Sequence, residues 1–213
     1  MELKSIAATI YLKNGKAVKG PKDFTLAEDV FENVGMYNDC GIDRIFIFDL
    51  SDNDDEHEKN LQMIRDLNHK LEIKVCAGGN IRRFEDIKKF FYAGCTQVIL
   101  NGSKQGTLEL AKEASGRFGK ERILVSVKNV NFIFKNKEAV EEYFNGMLVL
   151  DHKMMDAVEN ITSIPSIVVV DRYDMDQFSE ILKRDCVRGI TGHFVTESAQ
   201  EIMLLKTKLF DRG

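Results

Sequence analysis

Tryptophan is absent from this 213-residue chain, proline occurs only twice and cysteine only four times. So little proline excludes a proline-rich linker or a collagen-like repeat. Cys40, Cys76, Cys95 and Cys186 are widely spaced and form no CxxC pair, which excludes a cysteine-paired zinc site and a disulfide framework. No metal and no cofactor is implied. No apolar run approaches the ~20 residues that span a bilayer, and the opening MELKSIAATIYLKNG lacks the layout of a targeting peptide. The expectation is a soluble cytoplasmic chain with reduced thiols. A net charge of −4 with no basic block gives no general attraction to nucleic acid or to an anionic membrane surface.

What is present is apolar material in short, evenly spaced pieces. With 44% hydrophobic and 30% charged residues, and no linker-like stretch, the chain reads as one domain over residues 1–213. Apolar, β-branched runs at Ile6–Leu12, Arg44–Leu50, Ile73–Ala77, Gln97–Leu100, Ile123–Val127, Met147–Leu150, Ser166–Val170 and Gly189–Thr191 predict eight strands. Helical patterns at Leu26–Asp39, Glu58–Lys70, Phe84–Tyr92, Thr107–Phe118, Glu138–Phe144, Met154–Ile161, Met175–Lys183 and Ser198–Phe210 alternate with them. Eight such units close most simply into an α/β (βα)8 barrel, a TIM barrel, because parallel connections are right-handed and closure removes both edges. An open doubly wound sheet is the other reading. Such barrels typically need ~250 residues, so the loops here must be short. The halves repeat weakly at an offset of 91 residues: Phe84-Glu85-Asp86-Ile87 falls on Met175-Asp176-Gln177-Phe178, and Cys95 on Cys186.

Strand three ends in Gly78-Gly79 and strand four in Asn101-Gly102-Ser103 before a helix. Glycines let backbone N–H groups approach a phosphate, and a helix start adds donors. Ordinary tight turns would give the same residues. The acidic run Asp52–Glu58 reads as a solvated loop entering a helix rather than a cation site.

Ile6-Ala7-Ala8 through Lys13-Asn14-Gly15-Lys16-Ala17-Val18-Lys19-Gly20 resembles the opening strand and loop of the cyclase subunit of imidazole glycerol phosphate synthase. Cys40-Gly41-Ile42-Asp43 leading to Phe48-Asp49-Leu50-Ser51 is similar to that family's second strand, and Gly78-Gly79 with Asn101-Gly102-Ser103 to its first phosphate site. The likeness covers about residues 5 to 120. It implies a half-repeated (βα)8 barrel of histidine biosynthesis, shared with a sister isomerase, that binds a ribotide bearing two phosphates, one per half. It also implies ammonia supplied by a partner glutaminase, and two aspartates, on strands one and five, acting as general acid and base.

This sequence departs from that pattern. Tyr11 stands at the strand-one aspartate and, in the most natural alignment, Lys128 at the strand-five aspartate. Both groups titrate near ~10 when unperturbed, so neither stands in for a carboxylate. The strand-seven glycines are matched by Val169-Val170-Asp171-Arg172, and strand eight ends in Gly192-His193-Phe194. Arg172 and His193 would then offer side-chain charge to the second phosphate, unless Arg172 pairs with Asp171, Asp174 or Asp176. The family's ammonia gate falls on Ser5, Arg44, Gln97 and a residue near Met147, which do not reproduce its alternating charges. The loop after strand one is abbreviated to Pro21–Thr25, and the loop after strand five to residues around Asn131–Asn136.

Asp49 reads either as a ligand group or as a structural carboxylate capping a loop. Asp151-His152, ending strand six, would form an acid/base pair with Lys128 or simply be solvated. Three functions follow: a cyclase-like barrel binding a phosphorylated ribotide with doubtful cyclase (lyase) activity, a catalytically silent ligand- or protein-binding barrel, and an altered enzyme using Lys128 as a Schiff base with Tyr11 as proton relay. The sequence does not fix the ligand, the oligomeric state or the strand-five register.

Overall fold

The structure, a computed structural model, describes residues 4–27, 30–32, 34–192 and 199–210. β1 (Ser5–Lys13) runs on into an antiparallel ribbon, β2 (Lys16–Gly20) and β3 (Asp23–Leu26). A short helix α1 (Val34–Asp39) then leads to alternating units: β4 (Arg44–Asp49), α2 (Asp54–Asn68), β5 (Lys74–Gly78), α3 (Phe84–Tyr92), β6 (Gln97–Asn101), α4 (Thr107–Phe118) and β7 (Ile123–Val127). α5 (Val130–Lys135) and α6 (Lys137–Tyr143) follow, then β8 (Gly146–Val149), α7 (Met155–Ile161), β9 (Ser166–Val169), α8 (Met175–Leu182), β10 (Val187–Gly192) and α9 (Ala199–Phe210). β1 and β4 to β10 pair in parallel, each with the next, and β10 pairs back onto β1 through Ser5↔Gly189, Ile6↔Ile190, Ala7↔Thr191 and Ala8↔Gly192. The sheet is a closed eight-stranded (βα)8 barrel.

The near-continuous apolar strands make sense in this arrangement because both faces are covered. Alternate residues point outward to the helices, as Ile6, Ala8, Ile45, Ile47, Val75, Ala77, Val98 and Leu100 do, into the large outer core. The others fill the barrel: Ala7, Phe46, Cys76, Ile99, Leu124, Leu148 and Ile167 form a separate inner cluster. Ala7, Cys76, Leu124 and Ile167 come from alternate strands, the layering by which such a barrel is packed solid rather than hollow. At the seam, Thr191 Oγ1 donates to the Ala7 carbonyl (2.9 Å), so the single proton left between the two hydroxyls is that of Thr9, which donates to Thr191 Oγ1 (2.9 Å).

The 91-residue repeat has a structural counterpart. α3 and α8 begin on its first residues, Phe84 and Met175, and the same offset lays β6 on β10 and the body of β5 on β9.

Three expectations from the sequence are corrected. Among the described residues, the helix expected over Leu26–Asp39 is realised only at Val34–Asp39, because Leu26 pairs with Val18 in the ribbon. The abbreviated loop Pro21–Thr25 is therefore the turn and second strand of a hairpin. The residues around Asn131–Asn136 are mostly helical, as α5, whose N-cap Asn129 accepts from the Asn131 N–H (2.8 Å). The acidic run is, as expected, a loop entering a helix: Asp52 and Asn53 precede α2, and Asp54, Asp55 and Glu56 form its first turn, capped by Asn53, where the helix dipole favours negative charge.

Closure leaves no room at Gly189, where an added Cβ would run into the backbone oxygen and hydroxyl of Ser5. Gly189→Ala is expected to lower the unfolding free energy by about 1–3 kcal/mol, the usual cost of overpacking. A urea midpoint unchanged from wild type would show that the β10–β1 seam yields freely.

Candidate functional site

The C-terminal ends of all eight strands lie on one rim, the end at which barrels of this kind carry their chemistry. Tyr11 reaches this rim from β1. It lies beside its register partner Phe48, the rings stacked with centroids 5.8 Å apart at 26°. Its phenol is held above its ordinary value, first by burial and second by the charge of Asp171, just beyond β9. Tyr11 is thus a phenol that keeps its proton, beside a carboxylate that sequence reasoning had considered only as a partner for Arg172. Lys128, one residue past β7, is exposed.

Asp49 turns away from the mouth. Its Oδ2 accepts from His57 Nδ1, and its Oδ1 accepts from Asn60 Nδ2 and from the Ser51 N–H (2.8 Å). Asn60 also donates to the Leu12 carbonyl (3.2 Å) and accepts from the Gly15 N–H (2.7 Å), tying β1, β4 and α2 together. Asp49, His57 and Asn60 are each at most 2% exposed. His57 Nε2 is buried with no hydrogen-bond partner, and the ring sits edge-on to Phe90 at 5.7 Å. The sequence carried a signal for this network: in α2 the buried positions 57, 60, 61, 64 and 67 follow a helical stripe, and two of them are polar. Polar residues at core positions demand partners, and Asp49 supplies them.

The glycine-ended loops split into two halves. On the β6 side the N–H groups are already used: Gly102 donates to the Ser126 carbonyl (3.0 Å), Ser103 to Asn101 Oδ1 (2.9 Å) and Lys104 to the Asn101 carbonyl (3.0 Å). Thr107 Oγ1 donates to that same carbonyl at 2.7 Å. On the β5 side, Gly79 and Asn80 are consecutive positive-φ residues (86° and 44°), and no described residue accepts from their backbone N–H groups. Gly79 is glycine for a packing reason as well, since a Cβ there would strike the Asp49 carbonyl, and one on Gly78 would lie 2.6 Å from the Ile99 oxygen.

Between these loops lies a cavity of about 320 Å³ lined by Ile81, Arg82, Asn101, Lys104 and Thr107 among others. Arg82 and Lys104, neither singled out in the sequence, give it positive charge. Arg82 Nε donates to Asn80 Oδ1 (2.9 Å), and Lys104 Nζ lies 3.5 Å from the Ile81 carbonyl.

Across the rim, Arg172 and Asp171 are exposed, and Arg172 forms no ion pair with Asp171, Asp174 or Asp176. Asp174 instead caps α8 by accepting from the Gln177 N–H (3.0 Å). The expected pairing of Arg172 is therefore not formed. His193 lies outside the described residues. Asp151 accepts from the Lys153 N–H (3.0 Å), and His152 Nε2 faces Gln177 Nε2 at 3.2 Å, so these contacts do not join Asp151-His152 to Lys128. Among the described residues no group of three His, Cys, Asp or Glu side chains is placed to hold a metal, and no helix is long and apolar enough to cross a membrane.

Two measurements test this geometry. Asp49→Ala strands buried partners on α2 and is expected to cost on the order of 3 kcal/mol in urea unfolding. A loss below about 0.5 kcal/mol, typical of surface sites, would mean the network holds nothing. For Tyr11 the sign follows from its raised value: the unfolded phenol ionises first, near ~10, so the stability it contributes is present below that pH and lost as pH rises toward the folded value. Tyr11→Phe is expected to lack this alkaline loss. Parallel decline of wild type and variant between about pH 9 and 11 would contradict it.

Comparison with known proteins agrees with the fold. The model of the family described as histidine biosynthesis protein matches residues 5–166. The imidazole glycerol phosphate synthase subunit HisF of Helicobacter hepaticus is 25% identical over 243 residues, covering 99% of this chain and 96% of its own. That of Sulfurisphaera tokodaii is 27% identical over 245 residues, covering 100% and 98%. A Staphylococcus aureus HisF is 30% identical over 127 residues, or 58% of this chain and 50% of its own. With a closed (βα)8 barrel and a family match over most of its length, the chain belongs to the histidine biosynthesis protein family and is HisF-like within it.

Proposed function

We propose that this chain binds a phosphorylated, ribotide-type small molecule at the C-terminal rim of its barrel and does not carry out the ring-forming reaction of its synthase relatives. The observation that carries this reading is Tyr11. It occupies the strand-one position of the catalytic aspartate implied by the family resemblance, stacks on Phe48 and holds its proton. A general acid and a general base are each worth ~10²–10⁴-fold, and a protonated phenol supplies no base. Lys128, at the strand-five position, is a cation.

One phosphate is the better fit to the rim. On the side of the first phosphate site, Arg82 and Lys104 line the cavity with Asn101, and the unused Gly79 and Asn80 N–H groups precede it in the loop after β5, while the Gly102 and Ser103 N–H groups are already taken. Opposite, on the side of the second phosphate, Asp171 carries a negative charge, with Arg172 next to it in sequence and the exposed Lys128 on the same rim. A glutaminase partner accords with the synthase-subunit relatives, although Ser5, Arg44, Gln97 and Met147 do not reproduce the alternating charges of an ammonia gate. A cytoplasmic location accords with the free thiols of Cys40, Cys76, Cys95 and Cys186.

The test combines turnover with binding. The family's bisphosphorylated aminoimidazole carboxamide substrate is incubated with the chain and excess ammonium salt, which bypasses any glutaminase, and products are separated by chromatography. No imidazole glycerol phosphate is expected, while calorimetry should show saturable binding of the substrate, weakened about tenfold or more in Lys104→Met. Product formation would overturn the loss of activity. Turnover and binding both absent from a folded sample would overturn the ribotide reading.

A further inference from the structure

The opposite end of the barrel holds charge that the rim chemistry does not use. Where β1, β4, β6 and β10 begin, a cavity of about 410 Å³ opens between Ser5, Arg44, Gln97 and Arg188, with Leu124 and Ile167 of the inner core cluster as its apolar wall. Among the described residues, two guanidinium groups line it and no carboxylate does. Arg44 is the better defined. Its Nη1 donates to Gln97 Oε1 (3.1 Å), and Gln97 is itself fixed by donating through Nε2 to the Glu121 carbonyl (2.8 Å). Arg44 Nε is buried with no hydrogen-bond partner, and among the described residues Arg44 forms no ion pair. Arg188 Nη1 donates to the Asp185 carbonyl, and the Ser5 hydroxyl donates to the Arg188 carbonyl (3.1 Å). The local field is positive: Lys4 is held below its ordinary value by burial and then by Arg188, only partly offset by Asp185.

A guanidinium cannot shed its proton to escape this situation. A partly buried, clamped charge without a counter-ion is unfavourable, and a planar oxyanion that pairs with it relieves the cost. We infer that this cavity is an anion site separate from the rim, taking a small organic carboxylate or phosphate monoester whose charged end meets Arg44 and whose apolar body rests on Leu124 and Ile167. The volume is in the range of small-molecule sites, roughly 300–1,000 Å³, and exceeds what a bare inorganic ion needs. The inner layers of Ala7, Phe46, Cys76, Ile99 and Leu148 separate the two ends, so a ligand here does not reach Tyr11.

The two sources of an oxyanion are distinguished with benzoate and phenyl phosphate as probes, titrated into the ¹⁵N-labelled full chain. The Arg44 Nε–H and Gln97 side-chain amide signals are expected to shift saturably with at least one of them. A response to phenyl phosphate alone assigns a phosphate ester, and a response to benzoate a carboxylate. Arg44→Met should abolish the response. Gln97→Met, which keeps the charge but removes its clamp, should weaken binding by about tenfold and serves where the arginine variant fails to fold. Base signals unmoved by either probe in wild type, or affinity unchanged in Arg44→Met, would overturn the inference. Because the readout sits at Ser5, Arg44 and Gln97, it succeeds or fails independently of ligand binding at the rim.

Discussion

Everything in this molecule depends on the parallel pairing of β10 with β1. Without it, the eight βα units would form an open sheet with two exposed edges, and the strand ends would not share a rim. The seam is short, four residue pairs, and rests on Gly189 clearing the Ser5 backbone and on the Thr9–Thr191–Ala7 hydrogen-bond chain inside. Closure also sorts side chains. Each outward residue meets a helix and each inward one meets its counterparts from other strands, which is why Ala7 and Ala8, adjacent in sequence, belong to different hydrophobic clusters. The one edge left is the β2–β3 ribbon, whose outer strand is four residues long and fully exposed, short enough to offer little to another chain.

Closure gathers Tyr11, Asp171 and the Gly79 and Asn101 turns onto one surface, and their chemistry defines what the rim can do. A phenol that stays protonated donates a hydrogen bond, a carboxylate beside it accepts one, and Arg82 with Lys104 supplies positive charge a few strands away. That set orients a polar ligand. It does not provide the pair of carboxyl groups in opposite protonation states that proton removal and delivery on one substrate require. Asp49, the rim's buried acid, is committed to His57, Asn60 and Ser51 and fixes α2 against β1 instead.

The fold was legible in the sequence because burial on both faces of each strand leaves a plain mark: β7, ILVSV, is wholly buried and reads as an apolar block between polar turns. What sequence periodicity could not show was competition between local and distant partners. Leu26 fits a helical stripe with later residues, but its pairing with Val18 takes it into a hairpin. The site was only partly legible. Gly78, Gly79 and Gly102 are required by close packing against Ile99, Asp49 and Phe132 as well as suited to phosphate, so glycine alone could not separate the two readings. The separation came from accounting for N–H groups, satisfied after β6 and open after β5. Arg82 and Lys104 gave no signal in sequence, because a lysine or arginine in a loop ordinarily marks solvent rather than a cavity.

The chemistry of the two ends of the barrel is compatible. Ammonia delivered through the base of a barrel is useful only where carboxyl groups at the rim can manage the protons that its addition and the ensuing cleavage move. Here Tyr11 and Lys128 lie at the rim, and among the described residues that line the base cavity Arg44 has no acid to pair with it. An arginine in such a ring, deprived of its carboxylates, is a strong obstacle to cation passage and a good anion trap, since its charge persists at every physiological pH. The packed inner layers lie between the ends and keep their charges apart, so the rim and the base each present a ligand chemistry of their own.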